Sequence, residues 1–303
     1  MKKAIGMLFA LSLLIAACQP STSIAQNGKK TIVVTYSILG ALVKDLVGNH
    51  AAVTVLIPNG QDPHEWEPSA RGIEALMKAD LVIQNGLDLE GGLQKTLAQA
   101  ASAGVKIYIA SDHITVRRVG VDEGISNEGA NQVVGIADPH IWIDPLAMKS
   151  IVASLAGQIK ADLGMDVSVQ AADLEARLDN LNSEITNIVA TLPEANRFLV
   201  TGHESLGYFA DRYGFKLIGA IIPSLNSQAE VSAAKLAALK ILIQENQVKA
   251  IFAEVGTPKA ISDSLGNETG AKVVQLSTHI LPTDGSYFTY MRQLADTIVE
   301  NLR

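Results

Sequence analysis

Six histidines, His50, His64, His113, His140, His203 and His279, carry the most distinctive chemistry in this chain. A histidine alone is more often structural or solvated than a ligand, so context has to separate them. His64 lies in Asn59-Gly60-Gln61-Asp62-Pro63-His64-Glu65-Trp66-Glu67-Pro68, and His140 in Asp138-Pro139-His140-Ile141-Trp142-Ile143-Asp144-Pro145. Both segments share Asp-Pro-His with a Trp two residues on. Proline fixes its own φ and biases the preceding residue towards extended backbone, a frame that can hold an imidazole rigidly. His203 follows Val200-Thr201-Gly202, and His279 follows Leu276-Ser277-Thr278. His50, after a Gly48-Asn49 turn, and His113, at the head of a long loop, lack such framing and read as surface residues. Four framed imidazoles suit a metal ion, since Zn²⁺ takes four N, S or O ligands in a tetrahedron.

The surrounding elements decide whether those four can meet. Near-continuous apolar runs such as Ile32-Val33-Val34 and Leu81-Val82-Ile83 suit parallel strands covered on both faces. The expected strands are 31–37, 53–58, 80–85 and 106–110 in the first half, and 197–201, 216–222, 250–255 and 272–276 in the second. Expected helices near 40–47, 69–77, 91–101, 206–213, 229–245, 258–265 and 286–301 separate or follow them. This alternation predicts an α/β protein of two lobes, each with a small parallel sheet. Residues 145–163 read as one helix. From Ser168 to Leu192 no Pro or Gly occurs, and Leu174, Leu178, Leu181, Ile185, Ile188 and Leu192 recur every three or four residues. That helix would reach roughly 36 Å at about 1.5 Å per residue, enough to link two lobes as a stiff strut. The expected division is an N-terminal lobe over 31–165, a linking helix over 166–193 and a C-terminal lobe over 194–303. Segment 112–137 has weak periodicity and reads as a surface loop. Ligands of open α/β sheets bind beyond the carboxyl ends of strands. His64, His203 and His279 fall just past expected strands and His140 ends the long loop, so an interlobe cleft could collect all four.

Composition narrows the partners. The chain has 303 residues, a net charge of −7 and 48% hydrophobic residues, enough for a sizeable core. An acidic balance without clustered Lys and Arg argues against nucleic acid. Lys2 and Lys3 precede an uncharged apolar run to Ala17, too short to span a bilayer comfortably and shaped like a secretory signal. Cys18, the only cysteine, follows Leu14-Ile15-Ala16-Ala17 and looks like the lipidated residue of a bacterial lipobox. The alternative is an incidental cysteine after an ordinary signal. A single cysteine forms no intrachain disulfide and no thiolate zinc site. Residues 19–30, rich in Ser, Thr, Gln and Asn, read as a tether.

At these motifs, together with Val200-Thr201-Gly202-His203-Glu204-Ser205-Leu206-Gly207-Tyr208, nearly the whole chain after the signal resembles the zinc- and manganese-binding solute-binding lipoproteins of bacterial ABC importers. The resemblance implies a monomeric receptor at the cell envelope, two α/β lobes joined by one long helix, and a metal buried between them. It implies ligands at His64, His140 and His203. The fourth position, usually a carboxylate, falls on His279, with Asp284 the nearby competitor. Two features depart from many zinc members: the loop over 112–137 holds only His113 in place of a histidine-rich run, and no disulfide can form.

Imidazole suits zinc and copper, whereas manganese suits carboxylate and water. Four neutral imidazoles therefore point to Zn²⁺ as the cargo and make Mn²⁺ the less suited alternative. Glu65, Glu204 and Glu254 are candidates to orient a ligand imidazole from behind, each with solvated surface charge as its plain alternative. Glu254 is the best placed, at a buried strand end. The rivals are a mononuclear zinc hydrolase, with His64, His140 and His203 as ligands and Glu65 or Glu204 as base, and a surface adhesin on the same scaffold. A hydrolase keeps an open metal position, so a fourth protein ligand at His279 discriminates against it.

Overall fold

The computed structural model describes residues 28–120, 123 and 134–303. Cys18, the signal over 1–17, most of the tether, and residues 121, 122 and 124–133 of the segment over 112–137 lie outside the described residues.

Two four-stranded sheets form the frame. The first contains β1 (Lys30–Tyr36), β2 (Ala51–Ile57), β3 (Leu81–Gln84) and β4 (Ile107–Ile109), ordered β2-β1-β3-β4. The second contains β5 (Phe198–His203), β6 (Lys216–Ile222), β7 (Ala250–Ala253) and β8 (Lys272–Gln275), ordered β6-β5-β7-β8. Within both sheets all described strand pairings are parallel, and the two halves use the same permutation. The expected α/β architecture is therefore the one observed. Ile32, Val33, Val34, Leu81, Val82 and Ile83 are wholly buried, as strands covered on both faces require.

The helices are α1 (Ser37–Val47), α2 (Ala70–Met77), α3 (Gln94–Ser102), α4 (Pro145–Leu163), α5 (Ser168–Ala190), α6 (Gly207–Tyr213), α7 (Ala233–Glu245), α8 (Lys259–Thr269) and α9 (Tyr287–Leu302). Local chemistry sets several ends. Asp144 caps α4 by accepting from Leu146 N–H, Pro145 occupies its first turn, and Gly164 closes it in the left-handed conformation at φ 69°. α7 starts four residues later than its apolar pattern suggests, because Ser232 caps it and residues 226–229 close a turn. α8 runs on to Thr269, where Gly270 at φ 77° stops it.

The strut helix α5 buries Ala171, Leu174, Leu178, Leu181, Ile185 and Val189 against α4, α9 and α1. Val189 takes the buried place expected of Ile188, because a 3.6-residue period drifts along 23 residues. One apolar core runs from the first sheet through α5 into α9, while a second, smaller one lies on the far side of the second sheet. The sheets are thus fastened through a shared packed core, so only small closing movements are open to them.

The described part of the segment after β4 is mostly exposed or half-buried, as a surface loop is, but not throughout. Its described start forms a short 3₁₀ turn over Ala110–His113, then Arg117 and Val119 turn inward and Arg118 bridges to Ala137. Arg117 is buried because three carboxylates surround its guanidinium: Asp138 at 3.2 Å, Asp211 at 2.9 Å, and Glu123. A buried charge demands such partners, and residue-type periodicity does not register them. No described helix is long and apolar enough to cross a membrane.

Candidate metal centre

The two Asp-Pro-His segments fold alike. Asp62 accepts the backbone N–H of His64 at 2.9 Å, and Asp138 that of His140 at 3.0 Å. Each is an Asx turn that fixes its histidine from two residues back. The aspartates then diverge. Asp138 also accepts the Nδ1–H of His140 at 2.8 Å. Asp62 instead reaches across the cleft and accepts the hydroxyl of Ser227 at 2.6 Å. His203 is the last residue of β5 rather than the first beyond it. Its Nδ1 lies 2.5 Å from Glu254 Oε2, which also accepts the His203 backbone N–H at 3.1 Å, and Ser205 hydrogen-bonds the other oxygen. His279 pairs through Nδ1 with the Thr278 hydroxyl at 3.1 Å.

These placements bring four imidazoles together. One nitrogen from each of His64, His140, His203 and His279 lies within 4.8 Å of all the others. His64 Nε2 is 3.3 Å from His140 Nε2, which is 3.1 Å from His203 Nε2. A tetrahedron with metal–nitrogen bonds of 2.0–2.1 Å has edges of about 3.3–3.4 Å, so this spacing is that of a ligand shell. His279 stands slightly back: its ring centroid is 5.8–6.5 Å from the others, which are 5.1–5.7 Å apart. Its Nε2 is buried with no hydrogen-bond partner. Such an orphaned nitrogen is destabilising unless something else binds it.

Burial sets the protonation. It pushes His64 down to about 3 and His279 to about 4, with the neighbouring imidazoles adding to the effect. His140 falls well below its ordinary value for the same reasons. His203 is the exception: burial opposes its charge, but the charge and hydrogen bond of Glu254 raise its pKa. Burial lifts Asp138 to about 7 against the pull of Arg117. Because burial keeps His140 neutral, its contact with Asp138 reads as an imidazole N–H donating to the carboxyl group. Without metal, the cluster holds one proton most readily, on His203, and offers the other nitrogens as lone pairs.

The surroundings keep the site dry. Trp142, fully buried, lies 5.3 Å from the His140 ring and 5.4 Å from His279, and its indole N–H donates to Thr278 O at 3.0 Å. Gly207 lets α6 approach, because a Cβ there would collide with Arg117 and Asp138. His64 is 6% exposed and the other three 2% or less, so the ring edge of His64 is the accessible one. It opens on a cleft of about 330 Å³ bounded by Asp88 and Pro139 on one side and Ser224, Leu225 and Asn226 on the other.

Other candidates fall elsewhere. Glu65 does not back an imidazole: it is exposed and accepts from Gln228 at 3.3 Å, because the Asx turn directs its side chain outward. Asp138 does what was expected of Glu65, two residues before its histidine. Glu204 is half-buried at the margin of a small internal cavity with Arg117, its backbone N–H donating to Ser224 O. Asp284 is exposed and accepts from Ser286 N–H and the Thr289 hydroxyl at the start of α9. His50 and His113 are exposed, and His113 stacks on Tyr108 at 4.5 Å. Arg117 is the participant that sequence reasoning missed. An arginine inside an apolar-poor loop upstream of Asp-Pro-His carries no local sign of burial.

A dry, nitrogen-lined cage between two rigidly joined lobes defines a protein that holds a metal ion rather than one that transforms a substrate. The chain belongs to the family described as zinc-uptake complex component A, periplasmic, whose model matches residues 32–301. It is thus a metal-binding substrate receptor of an ABC importer and not an enzyme. Among relatives, the manganese-binding lipoprotein MntA of Halalkalibacterium halodurans is 26% identical, covering 98% of this chain and 97% of its own. The high-affinity zinc uptake system protein ZnuA of Bacillus subtilis is 29% identical, covering 90% of this chain and 86% of its own. Among solved structures, the periplasmic zinc binding protein TroA from Treponema pallidum is 24% identical. It has a TM-score of 0.76 over 91% of this chain and 99% of that one, a likeness of fold.

Proposed function

We propose that this receptor captures Zn²⁺ through His64, His140, His203 and His279 and delivers it to its membrane permease. The observation that carries the reading is the donor set. Four buried imidazoles converge with no carboxylate oxygen among them, and the 3.1–3.3 Å spacings match a tetrahedral zinc shell. Manganese is harder and favours oxygen. The relative named for manganese keeps Mn²⁺ as the competing cargo, as the one named for zinc supports Zn²⁺. Cys18 serves as the lipid anchor and residues 19–30 as the tether in this reading, with a monomer lipid-anchored at the cell envelope or periplasmic. Residues 31–165 and 194–303 act as the two lobes and 166–193 as the strut.

The test is a competition titration of the metal-free protein with Zn²⁺ against excess Mn²⁺, with His279→Ala beside it. One-to-one zinc binding that resists manganese and weakens strongly in the variant supports the reading. Effective competition by manganese, or a variant that binds zinc as well as the parent, overturns it.

A further inference from the structure

We infer that Asn59 is a positioning residue, an interlobe latch that fixes His279 in the metal shell. The inference rests on His279 being the fourth ligand. His140 and His203 are each held by a carboxylate, Asp138 and Glu254. His279 has only the hydroxyl of its own neighbour, Thr278. Its direction therefore depends on how its backbone segment is held, and that segment, between β8 and α9, belongs to neither element.

Two clamps flank it, and each includes a residue from the first half of the chain, Trp142 or Asn59. On one side, Thr278 O accepts the Trp142 indole N–H at 3.0 Å, and the Tyr290 hydroxyl at 2.8 Å. On the other, the Asn59 amide meets both backbone groups of Leu281. Its Oδ1 accepts the Leu281 N–H at 2.7 Å, and its Nδ2 donates to Leu281 O at 2.9 Å. A side-chain amide carries one acceptor and two donors at fixed separation, so it can reproduce a strand's bridge to a single residue.

Asn59 is itself preorganised. Gln61 N–H donates to Pro58 O at 3.2 Å, closing a turn with Asn59 and Gly60 at its centre. Gly60 has φ 85°, the left-handed value that the third position of a type II turn needs. A Cβ at Gly60 would come within 4.0 Å of Ile280, so the turn sits directly on the His279 segment. The same loop carries His64, four residues after Gly60. The latch thus couples the ligand most exposed to the cleft with the one that stands furthest back.

The experiment is a double-mutant cycle on the purified protein, reading the Zn²⁺ dissociation rate into a chelator and the visible spectrum of the Co²⁺-loaded form. Asn59 is exposed, so Asn59→Ala leaves the core untouched. We expect Asn59→Ala to speed zinc release roughly five- to tenfold, as the loss of two hydrogen bonds allows, and Asn59→Asp to do so at least as much, because its second carboxylate oxygen then faces the Leu281 carbonyl oxygen. Co²⁺ absorption should weaken as a water enters and the tetrahedral shell opens. In a His279→Ala background Asn59→Ala should add less than about twofold, because residues acting through one contact are not additive. Equal effects in both backgrounds, or no effect in the parent, overturn the latch. If His279→Ala itself changes neither rate nor spectrum, the four-histidine reading falls and the latch with it.

Discussion

Replacing Glu254 with Gln removes one charge from behind His203 and little else. Gln keeps the size and can still accept the His203 Nδ1–H and backbone N–H while donating to Ser205, so the contacts at 2.5 and 3.1 Å survive. The electrostatics do not. The pKa of His203 is raised because Glu254, with smaller help from Asp62 and Asp138, more than offsets burial; with a neutral partner the largest of these contributions is lost and the pKa falls. Two effects on zinc follow. A carboxylate behind an imidazole increases its basicity and orients it, and its loss weakens metal binding by about 10- to 100-fold. In the parent, zinc must also expel the His203 proton, so below that raised pKa affinity falls about tenfold per pH unit as the solution is acidified. In the variant His203 is already neutral and the slope flattens. The gap between parent and variant is therefore widest at alkaline pH and narrows towards acid. Chelator-competition titrations from pH 5.5 to 8.5, with proton release measured by calorimetry in two buffers, check this. A gap that stays constant with pH, or a variant that still releases one proton at neutral pH, would refute the assignment of the proton to His203.

Other outcomes follow from the same geometry. Asp284→Ala should leave zinc affinity within about twofold of the parent, since Asp284 braces Ser286 and Thr289 at the N-terminus of α9; the loss of those contacts should lower the urea midpoint slightly. Leu178→Ala in the strut, where the side chain is wholly buried, should destabilise the apo-protein by about 2–5 kcal/mol while the folded variant keeps parental zinc affinity. Zinc at about 100 times its dissociation constant should add about 2.7 kcal/mol to stability, seen as a raised melting temperature that a chelator reverses.

Much of the frame was legible because its signals are local. Ile32-Val33-Val34 announces a strand buried on both faces, and the spacing from Leu174 to Ile185 announces the strut. Asp-Pro-His twice over announces rigid turns. The framing also explains why His50 and His113 stand apart from the other four. What escaped depends on partners distant in sequence. Arg117 is buried only because Asp138 and Asp211 come to meet it. Glu65, adjacent to His64, points outward, while Glu254, 51 residues from His203, stands against it. Asp138 and Asp62 occupy matching motif positions, yet only Asp138 reaches its imidazole; the difference is Ser227 across the cleft, which no motif reveals. Nothing in the sequence marks out Asn59, whose bridge to Leu281 spans 222 positions.

The central claim is a four-imidazole zinc shell, and X-ray absorption at the zinc K-edge of the loaded protein tests it most directly. The expected result is four nitrogen scatterers at about 2.0–2.1 Å with the outer-shell features of four imidazole rings. Three imidazoles with an oxygen ligand, or a five- or six-coordinate shell at longer distance, would contradict it.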